Sequence, residues 1–248
     1  MKKEFTTITR FCLYFVCSKQ KAFTLAEVLI TIGIIGIVAA MTLPALLQNY
    51  ANHVVETRLQ KFYTIFNKAI QLAETEYGDK KYWYLDASGV DLDEDGKPIL
   101  ETSKIDQWFK KYLSRFIVLE RKSDTSGRVL YYLSDGTAFQ LGTKDNPSLR
   151  DIYFYPGNPD KCQGGNFDSL KGICVFNFEY MPISKNFSWK YHYDKGVEPA
   201  KYNWDGTLNK LFNDNERGCA TANGVYCTAL IQYNGWKIPK DYPKKVRY

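Results

Sequence analysis

A single carboxylate stands inside a long apolar segment near the N-terminus. Over residues 23–47 the only formally charged side chain is that of Glu27. An isolated carboxylate is strongly penalised in an apolar environment, so Glu27 must be protonated, paired with another group or close to an interface. Glu27 is therefore the residue whose type and position most strongly indicate a function.

A second acidic group has a spacing typical of cation-binding loops. Asp91, Asp93 and Asp95 precede a glycine and match the first half of a calcium-binding loop, in which alternate carboxylates face one cation. The second half does not match, because Thr102 occupies the twelfth position. We therefore expect an acidic turn exposed to water, with a Ca²⁺-stabilised loop as the alternative and no other cofactor.

Groupings typical of enzymes are scarce. His53 and His192 are the only histidines, which excludes multi-histidine metal sites, and we expect the first to be solvated and the second to pack at the surface. No phosphate-binding glycine loop or nucleophile-elbow motif occurs, so we expect no enzymatic activity. One aromatic group could form a carbohydrate- or partner-binding surface, although we favour packing in the core or in loops: Trp189, Tyr191, Tyr193, Tyr202 and Trp204.

The apolar segment around Glu27 is long enough to span a membrane. As a helix, residues 23–47 reach roughly 37 Å at about 1.5 Å per residue, against a hydrocarbon core of about 30 Å. The following apolar residues recur three and four positions apart: Val55, Leu59, Phe62, Phe66, Ala69 and Ala73. We predict one helix over residues 23–77, membrane-spanning over 23–47 and amphipathic over 48–77. Pro44 should kink or locally unwind it.

Residues 78–248 show the pattern of a mixed head domain. A short amphipathic helix is predicted over residues 103–114. Apolar alternation and turn residues predict strands over residues 116–121, 128–133, 137–141, 151–155, 173–180 and 225–236. Residues 182–215 are predicted to form an aromatic-rich loop. The predicted fold class is α+β.

The N-terminal segment resembles that of type IV pilins and type II secretion pseudopilins. It combines a basic residue, the small Ala22, the sequence Phe-Thr-Leu beginning at Phe23, and Glu27 as the fifth residue from that phenylalanine. The resemblance implies that prepilin peptidase cuts between Ala22 and Phe23, removes residues 1–22 as a leader, and methylates the new amine of Phe23. Ala22 departs from the glycine that the family usually has, and an uncleaved signal anchor is the alternative.

The resemblance also implies a mode of assembly. Glu27 of one subunit would meet the Phe23 amine of a neighbour and neutralise both charges, whereas the alternative is that Glu27 extends to the lipid headgroups. Pro44 lies where the family often has a helix-loosening proline. The implied partners are prepilin peptidase, other pilin or pseudopilin subunits, the inner-membrane platform of the assembly machine and the membrane. Residues 227–243 also resemble the C-terminal segment of pseudopilin-like proteins, and the implied fold packs the long helix on an antiparallel sheet.

The charge distribution is consistent with an exported head. The formal net charge is +6, but the implied leader holds five basic residues and one acidic residue, leaving +2 for the rest. Basic residues beside a spanning helix stay cytoplasmic, which puts the leader inside and the head outside the inner membrane. Nucleic-acid binding requires a clustered positive excess, so we expect no nucleic-acid partner.

Four cysteines follow the implied leader, an even number that suits disulfide bonds in an exported domain. Cys162, Cys174, Cys219 and Cys227 allow three connectivities, of which we favour Cys162–Cys174 and Cys219–Cys227 because these close two short loops. A zinc site is the alternative, but the spacing differs from that of structural zinc sites.

The expected function is that of a structural subunit in a type IV pilus or a type II secretion pseudopilus. The subunit would be held in the inner membrane and would then enter a filament in the cell envelope or at the cell surface. The alternative is a minor tip pilin or a membrane-tethered adhesin whose aromatic loops bind a ligand. A signal-anchored envelope enzyme is a third alternative, but the sequence contains no motif that supports it.

Overall fold

The computed structural model describes residues 23–83, 91–94, 98–99, 104–125, 128–142 and 151–248. The implied leader therefore lies outside the described residues. The chain divides into two compact units, Met1–Pro44 and Ala45–Tyr248.

Helix α1, Leu25–Tyr77, confirms the long N-terminal helix predicted from the sequence. Residues 25–44 are exposed throughout, and Glu27 is their only charged residue. Their length and composition are sufficient to cross a membrane. The helical backbone continues through Pro44 without local unwinding.

The C-terminal part of α1 carries the predicted apolar face. Seven of its side chains are buried: Val55, Leu59, Phe62, Phe66, Ala69, Ile70 and Ala73. Except for the adjacent pair Ala69 and Ile70, they recur every three or four residues. The N–H of Gly78 donates to the carbonyl of Glu74 at 3.0 Å, and Gly78 adopts φ +78°. Glycine takes up this left-handed conformation at little cost, which explains why the helix ends there.

Short elements connect α1 to the main sheet. Helix α2 spans Lys80–Trp83, and strands β1, Asp91–Leu92, and β2, Pro98–Ile99, form an antiparallel pair. Helix α3, Lys104–Tyr112, lies within the predicted range and is strongly amphipathic, with Trp108 and Phe109 buried.

The main sheet has six antiparallel strands in sequence order. They are β3, Arg121–Thr125; β4, Arg128–Tyr132; β5, Ala138–Leu141; β6, Asp151–Tyr155; β7, Phe176–Glu179; and β8, Glu198–Pro199. This arrangement confirms the α+β fold class.

Both faces of the sheet are covered, as alternating side chains on β4 and β6 demonstrate. Tyr131 and Phe154 pack in the core formed with α1. Their neighbours Tyr132 and Tyr153 point to the opposite face, where residues 162–175 contribute Leu170, Cys174 and Val175. Because successive strand residues point to opposite faces, a sheet buried on both sides has few positions for polar groups.

Two strand predictions are wrong. Residues 113–117 extend α3 by turns, in which the N–H groups of Phe116 and Ile117 both donate to the carbonyl of Leu113, and the strand begins only at Arg121. Residues 225–236 form helix α5, Cys227–Tyr233, instead of a strand. Cys227, Leu230 and Ile231 are buried at helical spacing, and Gly235 with φ +67° follows the helix end.

The predicted loop over residues 182–215 also contains a helix. Helix α4 spans Leu208–Asn213, and the hydroxyl of Thr207 accepts the N–H of Lys210 at its start. Leu211 of α4 packs with Cys219, Tyr226 and Leu230 in a third apolar cluster. This cluster joins α4 to α5 at the C-terminal end of the chain.

Candidate functional site

Thr24 and Glu27 form a reciprocal hydrogen-bonded cap at the start of α1. The backbone N–H and the hydroxyl of Thr24 each donate to Oε2 of Glu27 at 2.8 Å, and the N–H of Glu27 donates to Oγ1 of Thr24 at 3.2 Å. This arrangement is a capping box, which satisfies N–H groups that the first helical turn leaves unpaired. The carboxylate also lies at the positive end of the helix dipole.

Phe23 immediately precedes this cap and is 84% exposed. Ala22, on the other side of the implied cleavage point, lies outside the described residues. Cleavage at this bond, methylation of Phe23 and pairing between subunits therefore stay predictions. What the structure adds is that Glu27 has hydrogen-bond donors within its own chain.

The acidic segment lies in the short hairpin of β1 and β2. Asp91 pairs with Ile99 in the register of this hairpin, and Asp93 is exposed. Asp95 lies outside the described residues, so a calcium loop formed by Asp91, Asp93 and Asp95 stays a prediction. Titration calorimetry of the full chain with CaCl₂ tests it.

The four cysteines form two disulfide bonds. Cys162 is joined to Cys174, 12 residues away, and Cys219 to Cys227, eight residues away. These are the pairs favoured from the sequence. Each bond closes a short loop and limits the movement of the residues between the two cysteines.

The head cavity, of about 400 Å³, opens on the sheet face opposite α1. Its floor consists of Asp151 and Tyr153 from β6 and of Asn177 and Glu179 from β7. Asp151 pairs with Glu179 and Tyr153 with Asn177 in the register of these antiparallel strands, so the four side chains share one face. On the floor, the carboxylate of Asp151 thus lies beside that of Glu179, and the ring of Tyr153 lies beside the amide of Asn177.

The walls of the head cavity come from three separate segments. Trp189 and Tyr202 contact each other edge to face, with ring centroids 4.8 Å apart, on one side. Lys171, Arg217 and Val225 complete the lining. The two disulfide bonds hold the segments that carry Lys171 and Val225, since Lys171 lies inside one closed loop and Val225 inside the other.

Glu179 and His192 form a buried pair beside the cavity floor. Oε2 of Glu179 lies 3.0 Å from Nε2 of His192, and the backbone N–H of Lys201 donates to the same nitrogen at 3.1 Å. His192 is fully buried, so its expected position at the surface is wrong. Because Nε2 accepts the Lys201 N–H, it cannot also donate to Glu179, and within the described residues neither Oε2 of Glu179 nor Nδ1 of His192 has a hydrogen-bond partner.

A second buried network surrounds Glu198 on β8. Its carboxylate accepts hydrogen bonds from Tyr63 at 2.9 Å, Tyr191 at 3.1 Å and Gln232 at 3.1 Å. Lys201 donates to Gln232 at 2.6 Å and to Tyr191 at 2.8 Å. The network therefore connects α1, β8 and α5 through side chains.

Burial changes the acidity of groups in the Glu198 network. Burial lowers the pKa of Lys201 to about 8, although the nearby Glu198 charge acts in the opposite direction. Burial, with the charge of Glu198 added, raises the pKa of Tyr63 to about 12. Both shifts follow from the high cost of a charge that is removed from water.

The aromatic group selected from the sequence is divided among the head cavity, the surroundings of Lys201 and a third position. Trp189 and Tyr202 line the head cavity. Tyr191 and Trp204 lie beside Lys201, whose Nζ is 4.1 Å and 4.8 Å from their ring centroids. Tyr193 instead lies under Lys185, with Nζ 4.9 Å from its ring centroid. The floor residues Asn177 and Glu179 were not selected from the sequence, although polar residues that alternate with phenylalanines along a buried strand are a usable signal.

Comparison with known proteins gives matches to both units. Residues 45–246 match the model of a family of unknown function (DUF6613), and residues 17–43 match the prokaryotic N-terminal methylation motif. Over 80 residues the chain is 35% identical to the fimbrial protein EcpC of Eikenella corrodens, which covers 32% of this chain and 50% of that relative. The chain therefore spans about half the length of this curated relative. No solved structure matches the chain.

The methylation motif coincides with the apolar start of α1 and with the Thr24–Glu27 cap. The other match covers most of the chain, including the whole sheet and both disulfide bonds. The chain therefore belongs to this family of unknown function, and its N-terminal segment and α+β fold make it a type IV pilin-like protein.

Proposed function

We propose that this protein is a structural subunit of a type IV pilus or a type II secretion pseudopilus. The observation that carries the proposal is the exposed, uncharged surface of residues 25–44, interrupted only by the capped carboxylate of Glu27. Such a surface is stable in a lipid bilayer or against similar helices, but not in water. The role is assembly and involves no catalytic turnover.

The proposed sequence of events begins at the inner membrane. The leader stays cytoplasmic and the second unit is exported, because the basic residues precede the spanning segment. Prepilin peptidase cuts between Ala22 and Phe23 and methylates Phe23. The subunit then leaves the lipid and packs residues 25–44 against the corresponding helices of other subunits.

Glu27 has a specific part in this proposal. In the single chain, its carboxylate is held by donors from Thr24. In a filament, the amine of a neighbouring Phe23 would add a positive partner and would neutralise the charge in an apolar surrounding. Pro44 contributes a position where α1 lacks one backbone donor and can adjust its shape.

Mass spectrometry of the N-terminus tests this proposal. Protein purified from membranes of a strain with active prepilin peptidase should begin at methylated Phe23, and an Ala22→Gly variant should be processed at the same bond. In a strain without the peptidase, the same protein should keep residues 1–22. Recovery of the intact leader from the peptidase-active strain would refute the proposal.

A second candidate function is a minor tip pilin or tethered binding module. The head cavity favours it, because ligand sites combine a concave surface with a few polar groups and aromatic side chains. Sheared fibres distinguish the two roles, since a bulk subunit should form most of the fibre mass and a tip subunit only a trace.

A further inference from the structure

The last described residues of the chain lie against the part of α1 that directly follows the apolar segment. Nε2 of Gln48 donates to the carbonyl of Val246 at 3.2 Å, and the rings of Tyr50 and Tyr248 have centroids 6.4 Å apart. Gln48 is the first residue after the apolar residues 23–47. All of these contacts lie within the second compact unit. The end of the described chain is therefore beside the point at which α1 would leave a membrane.

This C-terminal segment is part of the folded head. Val246 is 3% exposed and belongs to the main core. The N–H of Arg247 donates to the carbonyl of Ile173 at 3.0 Å, and Nζ of Lys244 donates to that of Lys171 at 2.9 Å. These bonds tie the segment to the loop closed by the first disulfide bond. Its position beside α1 is therefore fixed by the head.

The same segment has an excess of positive charge at its surface. Residues 240–248 contain four basic residues and one acidic residue. Lys245 and Arg247 are exposed on either side of the buried Val246. The guanidinium group of Arg247 donates to the carbonyl of Gln163, which leaves its charge uncompensated. In the part of the chain that the structure describes, neither of the two cations has an acidic partner.

Two tyrosines accompany these cations. Tyr50 is 61% exposed and Tyr248 is 41% exposed. Tyr50 follows Leu47 by three residues, which places it roughly 4.5 Å along the helix axis beyond the apolar segment. Tyrosine is enriched at this depth, because its ring is apolar and its hydroxyl group can stay in water. We call the four residues Tyr50, Lys245, Arg247 and Tyr248 the membrane-proximal surface.

We propose that the membrane-proximal surface binds the headgroups of anionic phospholipids in the bilayer that residues 23–47 cross. Lys245 and Arg247 pair with lipid phosphates, and the two tyrosines lie at the level of the headgroups. Basic residues are attracted to an anionic membrane within about one Debye length of its surface, roughly 8–10 Å. The proposal rests on the membrane-spanning part of the proposed function and does not require filament assembly.

The lipid preference of the full chain is the first measurement. The protein is purified in a zwitterionic detergent and mixed with equal amounts of phosphatidylglycerol and phosphatidylcholine that have identical acyl chains. Native mass spectrometry then gives the ratio of the two lipids that stay bound. We expect phosphatidylglycerol to be retained in preference by about fivefold or more.

Substitution of the two cations should remove this preference. Lys245→Gln should lower the ratio of bound phosphatidylglycerol to phosphatidylcholine by about fivefold, and Lys245→Gln, Arg247→Gln should lower it further. Within the described residues, Lys245 has no hydrogen-bond or ion-pair partner, so the single variant keeps the test valid if the double variant does not fold. All variants carry the same N-terminal residues, so any lipid binding by the leader cancels in the comparison.

Two exposed lysines at the other end of α1 provide the matched control. Nζ of Lys185 lies 4.9 Å from the ring centroid of Tyr193, and Nζ of Lys81 lies 5.7 Å from the same centroid. Lys81 follows the end of α1, which is roughly 45 Å along the helix from the apolar segment. Lys185→Gln, Lys190→Gln makes the same change of charge at this distance. It should keep the lipid ratio of the unchanged chain.

Lysine labelling in a bilayer is the second measurement. The full chain is placed in nanodiscs of phosphatidylcholine with or without phosphatidylglycerol and is acetylated with an uncharged reagent. Labelling of Lys245, followed by peptide mass spectrometry, should slow in the anionic bilayer much more than labelling of Lys185. Equal slowing of the two lysines, or equal lipid ratios for the Lys245 and Lys185 variants, would overturn the proposal.

The nanodiscs also distinguish this proposal from the one on which it rests. A chain that does not enter nanodiscs would overturn both proposals, because residues 23–47 would then not span a bilayer. A chain that enters them but shows no preference for the anionic lipid would overturn the headgroup proposal alone. The filament proposal would then still depend on the N-terminal processing described above.

Discussion

The ring of Phe62 on α1 stacks on the ring of Phe154 on β6, with centroids 4.4 Å apart and an angle of 23° between their planes. Phe62 also contacts Phe66, Phe139 and Phe178, with centroid distances of 5.2, 5.7 and 5.1 Å. The side chain therefore joins the helix to three neighbouring strands of the sheet. This contact is the centre of the main core.

Removal of the Phe62 ring should destabilise the second unit. Phe62→Ala leaves a cavity in a core position that is 3% exposed, and we expect a loss of about 3–5 kcal/mol in the free energy of unfolding. Phe187, which is 81% exposed, provides the matched control, and Phe187→Ala should change stability by less than about 0.5 kcal/mol. Urea denaturation followed by circular dichroism measures both. Equal effects of the two substitutions would contradict the assignment of Phe62 to the core.

The Glu27 carboxylate can act in two ways, as a hydrogen-bond acceptor in the cap with Thr24 and as a negative charge in filament assembly. Glutamine also fits a capping box, because its amide oxygen accepts the same hydrogen bonds, but it carries no charge. If filament assembly needs the charge, Glu27→Gln should reduce sheared fibres strongly while the protein stays at normal levels in the membrane. Immunoblots of sheared and membrane fractions measure this.

Thr24→Val completes the comparison at the start of α1. It removes the hydroxyl donor and the hydroxyl acceptor but leaves the Glu27 charge in place. We expect it to assemble better than Glu27→Gln. Normal fibres from Glu27→Gln and none from Thr24→Val would assign Glu27 a capping role alone.

The disulfide bond Cys219–Cys227 should contribute to stability and to the shape of the head cavity. Its removal in a Cys219→Ser, Cys227→Ser double variant should cost about 2–4 kcal/mol, because the unfolded chain gains conformational freedom. The unchanged mature chain is the control, because Cys12 and Cys17 lie in the implied leader and are absent from it. Thermal melting of the mature proteins measures the difference. A double variant at 219 and 227 as stable as the control would contradict the prediction.

Lys201 should make stability rise with pH in an alkaline window. Its pKa is about 8 in the folded chain and 10.5 when unperturbed, so between these values the unfolded chain binds more protons. The free energy of unfolding therefore increases as the pH rises from about 8 towards 10, as the folded state loses a charge that burial penalises. Lys244, whose pKa burial also lowers, acts in the same direction.

The tyrosines limit this window at its upper end. The raised pKa of Tyr63, about 12, means that the unfolded chain loses this proton first above pH 10, where stability should fall again. Melting temperatures between about pH 7.5 and 9.5 test the rise. Lys201→Met should flatten the slope, and Lys190→Met, at an exposed position, should leave it unchanged. A slope that Lys201→Met does not alter would contradict the assignment.

The elements that the sequence predicts best are those with strong, long periodicity. Helix α1 and strands β4 to β7 combine clear apolar patterns with glycine-containing turns. The apolar run at residues 225–236 misleads, because a short run has no period that separates a buried strand from a buried helix. The Asn234-Gly235 pair at its end is the signal that favours a helix stop.

The head cavity could not be predicted from the sequence in the same way. Asn177 and Glu179 come to lie beside Tyr153 and Asp151 only through the register of β6 and β7, and register depends on the complete sheet. The walls come from segments that are up to 54 residues apart along the chain, Lys171 and Val225 at the extremes. For Trp189 and Tyr202 the sequence favoured packing in the core or in loops, with a binding surface as the alternative, and it gave no means to place them over this floor.

The position of the two disulfide bonds links the walls of the head cavity to the compartment in which the chain matures. Disulfide bonds form outside the reducing cytoplasm, so a chain still in that compartment would lack the cross-links that restrain residues 162–174 and 219–227. Oxidation of the cysteines would thus be the step that gives the cavity its finished outline.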